Sequence, residues 1–152
     1  MRRRKKEWWD AGIRFTCLPN CGRCCDEPDG LVYISKEDAM RISNHIGIDV
    51  EMWLASDAIQ TEDGRFVLRS TPETRTCIYI EEDKTCKIHM AKPTQCSAFP
   101  FWKENVVDDS SWRRTIEICP GLVHPEAILI DGTTIRAHIE ADMHAEKSFT
   151  EW

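Results

Sequence analysis

The 152-residue chain is 41% hydrophobic and 30% charged, enough apolar material for one domain with a modest core. Its 26 acidic and 20 basic side chains give a formal net charge of −6, which argues against an extended nucleic-acid footprint, because phosphate binding needs a basic face. Eight cysteines set the remaining question, since an even number permits either four disulfides or two four-thiolate metal sites.

The N-terminus, MRRRKKEWWDAGIRF, opens basic, but Glu7, Asp10 and Arg14 interrupt any apolar run that a secretory signal would need. No later segment approaches a membrane span. The expectation is a cytoplasmic protein with no membrane partner, in a compartment where thiols stay reduced and clustered cysteines more often bind metal or do redox chemistry. RRRKK, residues 2–6, reads as a solvated tail, with an acidic partner or a nucleic-acid backbone as the other reading. Trp8 and Trp9 suit either a docking patch or the start of the folded domain. The chain thus divides into a basic and aromatic arm, 1–12, and a cysteine-cluster domain, 13–152.

FTCLPNCGRCC, residues 15–25, places Cys17, Cys21, Cys24 and Cys25 within nine positions. Thiols crowded into a short polar loop cannot all hide in a core, so packing is the weaker explanation. Pro19, Asn20 and Gly22 permit a tight backbone, and Gly22 is the expected positive-φ position. Adjacent residues usually point their side chains apart. Cys24 and Cys25 are therefore expected to divide between two metal centres or to bridge one larger cluster.

DEPDG, residues 26–30, is a polar spacer, and LVYI, residues 31–34, reads as a strand. Ser35 and Asp38 form a capping-box variant opening a helix whose face carries Ala39, Ile42 and Ile46, with Gly47 as its stop. Asp49 caps a second helix with Val50, Trp53, Leu54 and Ala58 as a core stripe. Asp63-Gly64 turns into the strand RFVLRS, residues 65–70, and CIYIEEDKTCKI, residues 77–88, reads as a hairpin that brings Cys77 and Cys86 together. Glu81, Glu82 and Asp83 then lie on its solvated turn.

Pro93 fixes its own φ and biases Lys92 away from the helical region, so the chain is expected to bend between Cys86 and Cys96. Thr94 would cap a short turn carrying Cys96, with Phe99 and Phe101 closing the site against water. NVVDDSSW, residues 105–112, reads as a solvent-facing loop and RRTIEI, residues 113–118, as a strand delivering Cys119. After Cys119-Pro120-Gly121, the DGTT turn precedes a helix from about Thr134 to His144, with Ile135, Ile139 and Met143 on one face.

Zinc and iron–sulfur clusters both accept four thiolates, so ligand type does not separate them. His89 and His124 are alternative ligands that would suit zinc better. No Ser-His-Asp arrangement or acid–base carboxylate pair is readable. C-x3-C-x2-C is similar to the cluster loop of radical S-adenosylmethionine enzymes, but position 23 is Arg and the chain is too short for their barrel.

Three pieces together, F-x-C-x3-C-G-x-C-C (Phe15 to Cys25), C-x-I-H-x-x-K-P-x-x-C-x-x-F-P-F (Cys86 to Phe101) and C-P-G (Cys119 to Gly121), resemble the YkgJ-type cysteine-cluster family, described as zinc- or iron-chelating or as containing iron–sulfur clusters. The resemblance spans about residues 13–123. It implies that Cys17, Cys21, Cys24, Cys25, Cys77, Cys86, Cys96 and Cys119 are the metal-binding set, with Gly22, Pro93, Phe99, Pro100 and Gly121 shaping the loops. The chain departs from the family at His89, often Tyr, at Lys92, usually Arg, and at Ser97, where a second Arg is common. The family also includes much longer flagellin lysine N-methylases, whose activity does not transfer to this domain by fold alone.

The expectation is a small single α+β domain, with short strands and a few helices organised around cysteine-ligated metal. The cofactor is an iron–sulfur cluster, with zinc the alternative, and the role is redox, cluster carriage or support of a protein partner. Two other readings stand beside it: a cluster-dependent modifying enzyme related to the lysine N-methylases, and a zinc-binding structural or interaction module.

Overall fold

The computed structural model describes residues 3–18, 21–22 and 30–152. Its first α-helix is specified by its own cap. Ser35 Oγ accepts the Asp38 N–H at 3.1 Å while the Asp38 carboxylate accepts the Ser35 N–H at 3.2 Å, and α1 runs Lys36–Ile46. Gly47, at φ 87, ends it in the left-handed region that favours glycine. Asp49 accepts the Glu51 N–H at 2.9 Å and starts α2, Val50–Asp57. Ala58, read as part of that helix, instead begins a strand.

The fold is α+β with short antiparallel strands. β1, Ile13–Phe15, pairs with β5, Ile128–Ile130, in the register Ile13 to Ile130 and Phe15 to Ile128. A second sheet has the order β2 (Tyr33–Ile34), β4 (Phe66–Leu68), β3 (Ala58–Gln60). The remaining helices are α3, Thr94–Ala98, α4, Lys103–Val106, α5, Asp109–Ile118, and α6, Gly132–Ser148. No helix among the described residues is long and apolar enough to cross a membrane.

Several expectations change. Residues 105–106 end α4 and residues 109–118 form α5, where a loop and a strand were expected. Asp108 caps α5 by accepting the Ser111 N–H at 2.7 Å, and burial falls on Trp112, Thr115, Ile116 and Cys119, a helical stripe, while Ile118 is exposed. The hairpin of residues 77–88 is a pair of turns rather than two strands, with single bridges from Cys77 to Ser70 and from Cys86 to Ile80. Thr94 does not cap α3: its hydroxyl donates to Asp38 at 2.7 Å, and Pro93 precedes the helix. α6 is longer at both ends, starting after an Asp131 cap that accepts the Thr134 N–H at 2.7 Å.

Two apolar clusters make the core. The first gathers Ile34, Ile42, Trp53, Leu68, Tyr79 and Ile88 between α1, α2 and the three-stranded sheet. Within it the buried Trp53 Nε1 donates to the Tyr79 hydroxyl at 2.7 Å, and that hydroxyl donates to Asp57. The second gathers Trp9, Ile13, Phe101, Val106, Ile135 and Ile139. Residues 8–11, placed in the arm from the sequence, form a 3₁₀ turn, Trp8–Ala11, with Trp9 only 5% exposed. Trp8 stays half-exposed and donates its Nε1 to the Val106 carbonyl at 2.9 Å. The end of α6 joins the two clusters, because Phe149 stacks on Tyr33 at 5.5 Å and Trp152 meets Phe66 at 4.6 Å.

Candidate metal centre

Six cysteines reach one place from distant parts of the chain. Cys17 leaves β1 and Cys21 follows it. Cys77 and Cys86 lie on the turns before α3, Cys96 sits on α3, and Cys119 ends α5 and starts the 3₁₀ turn Pro120–Leu122. All six line a single cavity of about 250 Å³, far more than the ~30 Å³ share of one water. Cys24 and Cys25, the doublet expected to divide between two centres or bridge one cluster, lie outside the described residues, as do the loop residues Pro19 and Asn20.

Two glycines bring the segments together. Gly22 takes φ +58, as expected, and a Cβ there would stand 2.8 Å from Ile80 Cδ1 and 2.9 Å from Lys84 Cβ. The Cys21 loop therefore rests directly on the turn that joins Cys77 to Cys86. Gly121 makes the other close approach, where a Cβ would stand 2.0 Å from the Thr16 carbonyl oxygen, and the Thr16 N–H donates to the Gly121 carbonyl at 3.1 Å. That contact fixes the exit of β1, and with it Cys17, beside Cys119.

The thiols meet different surroundings along the cavity. Cys77, Cys86 and Cys96 pack against the first apolar cluster. Cys119 stands within electrostatic range of Cys21 and Cys17. Burial pushes the Cys119 thiol up to about 11; the Gly121 and Leu122 N–H groups pull it back, while the charges of Cys21 and Cys17 raise it. A thiolate is thus disfavoured here without a counter-charge. A bound cation reverses that balance, and the two N–H groups would then support the thiolate.

The wall between the thiols is apolar, from Phe15, Leu68, Ile80, Ile88 and Phe99, with the Tyr79 ring. It holds Lys84, Lys92 and His89, and among the described lining residues no Asp or Glu, in a chain with 26 carboxylates. His89, Lys92 and Ser97, the three positions where this sequence departs from its resemblance, all line the cavity. Lys84, Tyr79 and Leu68 were not read as site residues. The sequence signal for Lys84 was its place in the turn between Cys77 and Cys86.

His124 lies elsewhere, its Nδ1 accepting the Glu126 N–H at 3.1 Å. Phe101 does not close the cavity either. It fills the second cluster at 2% exposure and meets the cavity-lining Phe15 edge-on at 5.5 Å. Among the described residues no three His, Cys, Asp or Glu side chains form an array that could hold a metal ion, and no disulfide joins two of the six cysteines. The thiols surround the cavity rather than meet at a point. As a donor set, soft sulfur in an apolar wall fits zinc or iron and does not fit a hard cation such as magnesium or calcium.

No solved structure matches the chain. Residues 16–120 match a family named CxxCxxCC and described as a "putative zinc- or iron-chelating domain". The matched span covers more than half the chain, contains all eight cysteines, and opens and closes on the Thr16 and Pro120 segments that Gly121 draws together. The chain belongs to this family of cysteine-cluster, zinc- or iron-chelating domains.

Proposed function

We propose that the protein holds an iron–sulfur centre, or two, through Cys17, Cys21, Cys24, Cys25, Cys77, Cys86, Cys96 and Cys119, and serves a protein partner in the cytoplasm by electron transfer or cluster carriage. The observation that carries this reading is the convergence of all six described cysteines on one apolar-walled cavity too roomy for a single ion. Cys24 and Cys25 supply the seventh and eighth thiols from the sequence. When bound, an iron–sulfur cluster supplies one-electron chemistry at a potential set by its surroundings. The chain's own part is to exclude water with Phe15, Ile80, Ile88 and Phe99, to donate N–H groups at Cys119, and to bring lysine charge to an otherwise acidic protein.

Zinc is the second reading, favoured by His89 on the wall, since imidazole is a common zinc ligand. Anaerobic purification followed by an ultraviolet–visible spectrum with iron, zinc and acid-labile sulfide analysis separates the two. Brown thiolate-to-iron absorption with matching sulfide supports the cluster; a colourless protein with stoichiometric zinc replaces it with the zinc reading. Protein with neither metal, and eight thiols reactive in the folded state, overturns both.

A further inference from the structure

α1 contributes no residue to the cavity wall, yet it grips the backbone of one side of that wall from behind. Asp38, in its first turn, is fully buried. Its Oδ2 accepts the Ser35 N–H, and its Oδ1 accepts three donors: the Thr94 N–H at 3.0 Å, the Thr94 hydroxyl at 2.7 Å and Arg41 Nη2 at 2.7 Å. The same Arg41 nitrogen donates to the Lys92 carbonyl at 2.6 Å. Between them Pro93 is fully buried and has no N–H to give.

The backbone of residues 92–94 is therefore fixed by α1 on one side, while Lys92, Pro93, Cys96 and Ser97 line the cavity on the other. α3, which carries Cys96, has five residues. A helix of little more than one turn does not hold its own geometry in water, because nucleation costs more than so few hydrogen bonds return. Its position must come from outside, and a buried carboxylate with four donors is a strong anchor because each bond is charge-assisted.

We infer that Asp38 and Arg41 are positioning residues for the Cys96 wall of the metal cavity, the Arg41 guanidinium tying the buried carboxylate to the Lys92 carbonyl so that α3 presents its thiol inward. The consequence for metal retention rests on the proposed metal-binding function; the consequence for the Cys96 thiol does not. Arg41 is the lever to test, because its side chain is 42% exposed and its loss leaves the Ser35–Asp38 capping box and the Thr94 bonds intact.

The experiment compares the parent with Arg41→Ala, Arg41→Lys and Arg113→Ala, the last an exposed arginine of α5. In reduced, metal-depleted protein, iodoacetamide alkylation is followed at each cysteine by peptide mass spectrometry; in protein as isolated, metal release to EDTA is timed. Arg41→Ala should alkylate Cys96 about tenfold faster relative to Cys119, equivalent to ~1.4 kcal/mol in local opening. It should also release metal faster, with its urea midpoint near that of Arg113→Ala. Arg41→Lys should restore the parental Cys96 rate, since an ammonium has three donors and one nitrogen serves both acceptors in the parent. Equal Cys96 rates in Arg41→Ala and Arg113→Ala, or Cys96 and Cys119 accelerating together as in general loosening, overturns the inference. A parent that carries no metal defeats the proposed function while the Cys96 comparison still decides this one.

Discussion

Gly121→Ala would place a Cβ 2.0 Å from the Thr16 carbonyl oxygen and 3.1 Å from Phe15 Cε2. The near atom is backbone, so it cannot swing aside as a side chain would, and the exit of β1 must move by about 1.4 Å before ordinary contact returns. Overpacking of this kind costs about 1–3 kcal/mol. The Thr16-to-Gly121 hydrogen bond, 3.1 Å in the parent, is strained or lost with it and adds roughly 1 kcal/mol. The total of ~2–4 kcal/mol corresponds to a melting temperature lowered by roughly 5–15 °C in a domain of this size. Because the displaced strand leads into Cys17 and the glycine follows Cys119, metal content should fall as well. Thermal melts of metal-loaded and metal-depleted protein, with metal analysis, read both effects. Gly47→Ala is the control: its Cβ meets nothing within 4 Å, so only the positive φ of 87° is strained, at about 1 kcal/mol, with metal content unchanged. A Gly121→Ala protein that melts and binds metal like the parent refutes the close approach of the two segments.

Tyr79→Phe should cost about 1–3 kcal/mol in urea unfolding, because the buried Trp53 N–H loses its acceptor, and a Tyr79→Phe/Trp53→Phe double variant should show the two losses to be non-additive. Asp142 on α6 is pushed up to about 6, by burial first and then by the charges of Glu104 and Glu146. The folded state therefore binds its proton more tightly than the unfolded chain, and the parent should lose stability as pH rises from about 4 to 6. Asp142→Asn should flatten that slope and raise the urea midpoint at pH 7.5 while changing little at pH 4; an unchanged pH profile counts against the burial. Pro93→Ala should lower metal occupancy or speed its loss while leaving the circular dichroism of α1 and α6 intact, since it loosens only the bend held at Lys92 and Thr94. Equal occupancy and loss rate in Pro93→Ala and parent would show that the bend is fixed without the ring.

The elements legible in the sequence were those whose signals are local. Ser35, Asp38 and Gly47 bound α1 by side-chain and φ chemistry contained within thirteen positions, and Gly22 declared its positive φ by being glycine among cysteines. α5 was misread because Ile116 and Ile118 alternate with polar residues in a β-branched run, while the true start signal, Asp108, lay inside what looked like a loop. β1, β3 and β5 went unread, each three residues long, too short to show a period of two against background. At the site, the identity of the cysteines was plain but their assembly was not. Nothing in spacing says that Cys119 sits beside Cys21 and Cys17, because that proximity is made by a glycine meeting a carbonyl more than 100 residues away in the chain. Likewise Thr94 looked like a cap only until the buried Asp38, 56 residues earlier, offered its hydroxyl a better acceptor.

Cys77, Cys86 and Cys96 pack against the first apolar cluster, while Phe15, which packs against the second, lines the same cavity. The C-terminal residues add a separate aromatic tie, Phe149 on Tyr33 and Trp152 against Phe66. The sulfur-lined cavity is thus a seam to which residues packed on both clusters contribute. A metal bound in that seam would rivet the two clusters, and the free energy of the rivet would appear as resistance of the whole body to unfolding rather than as rigidity of one loop.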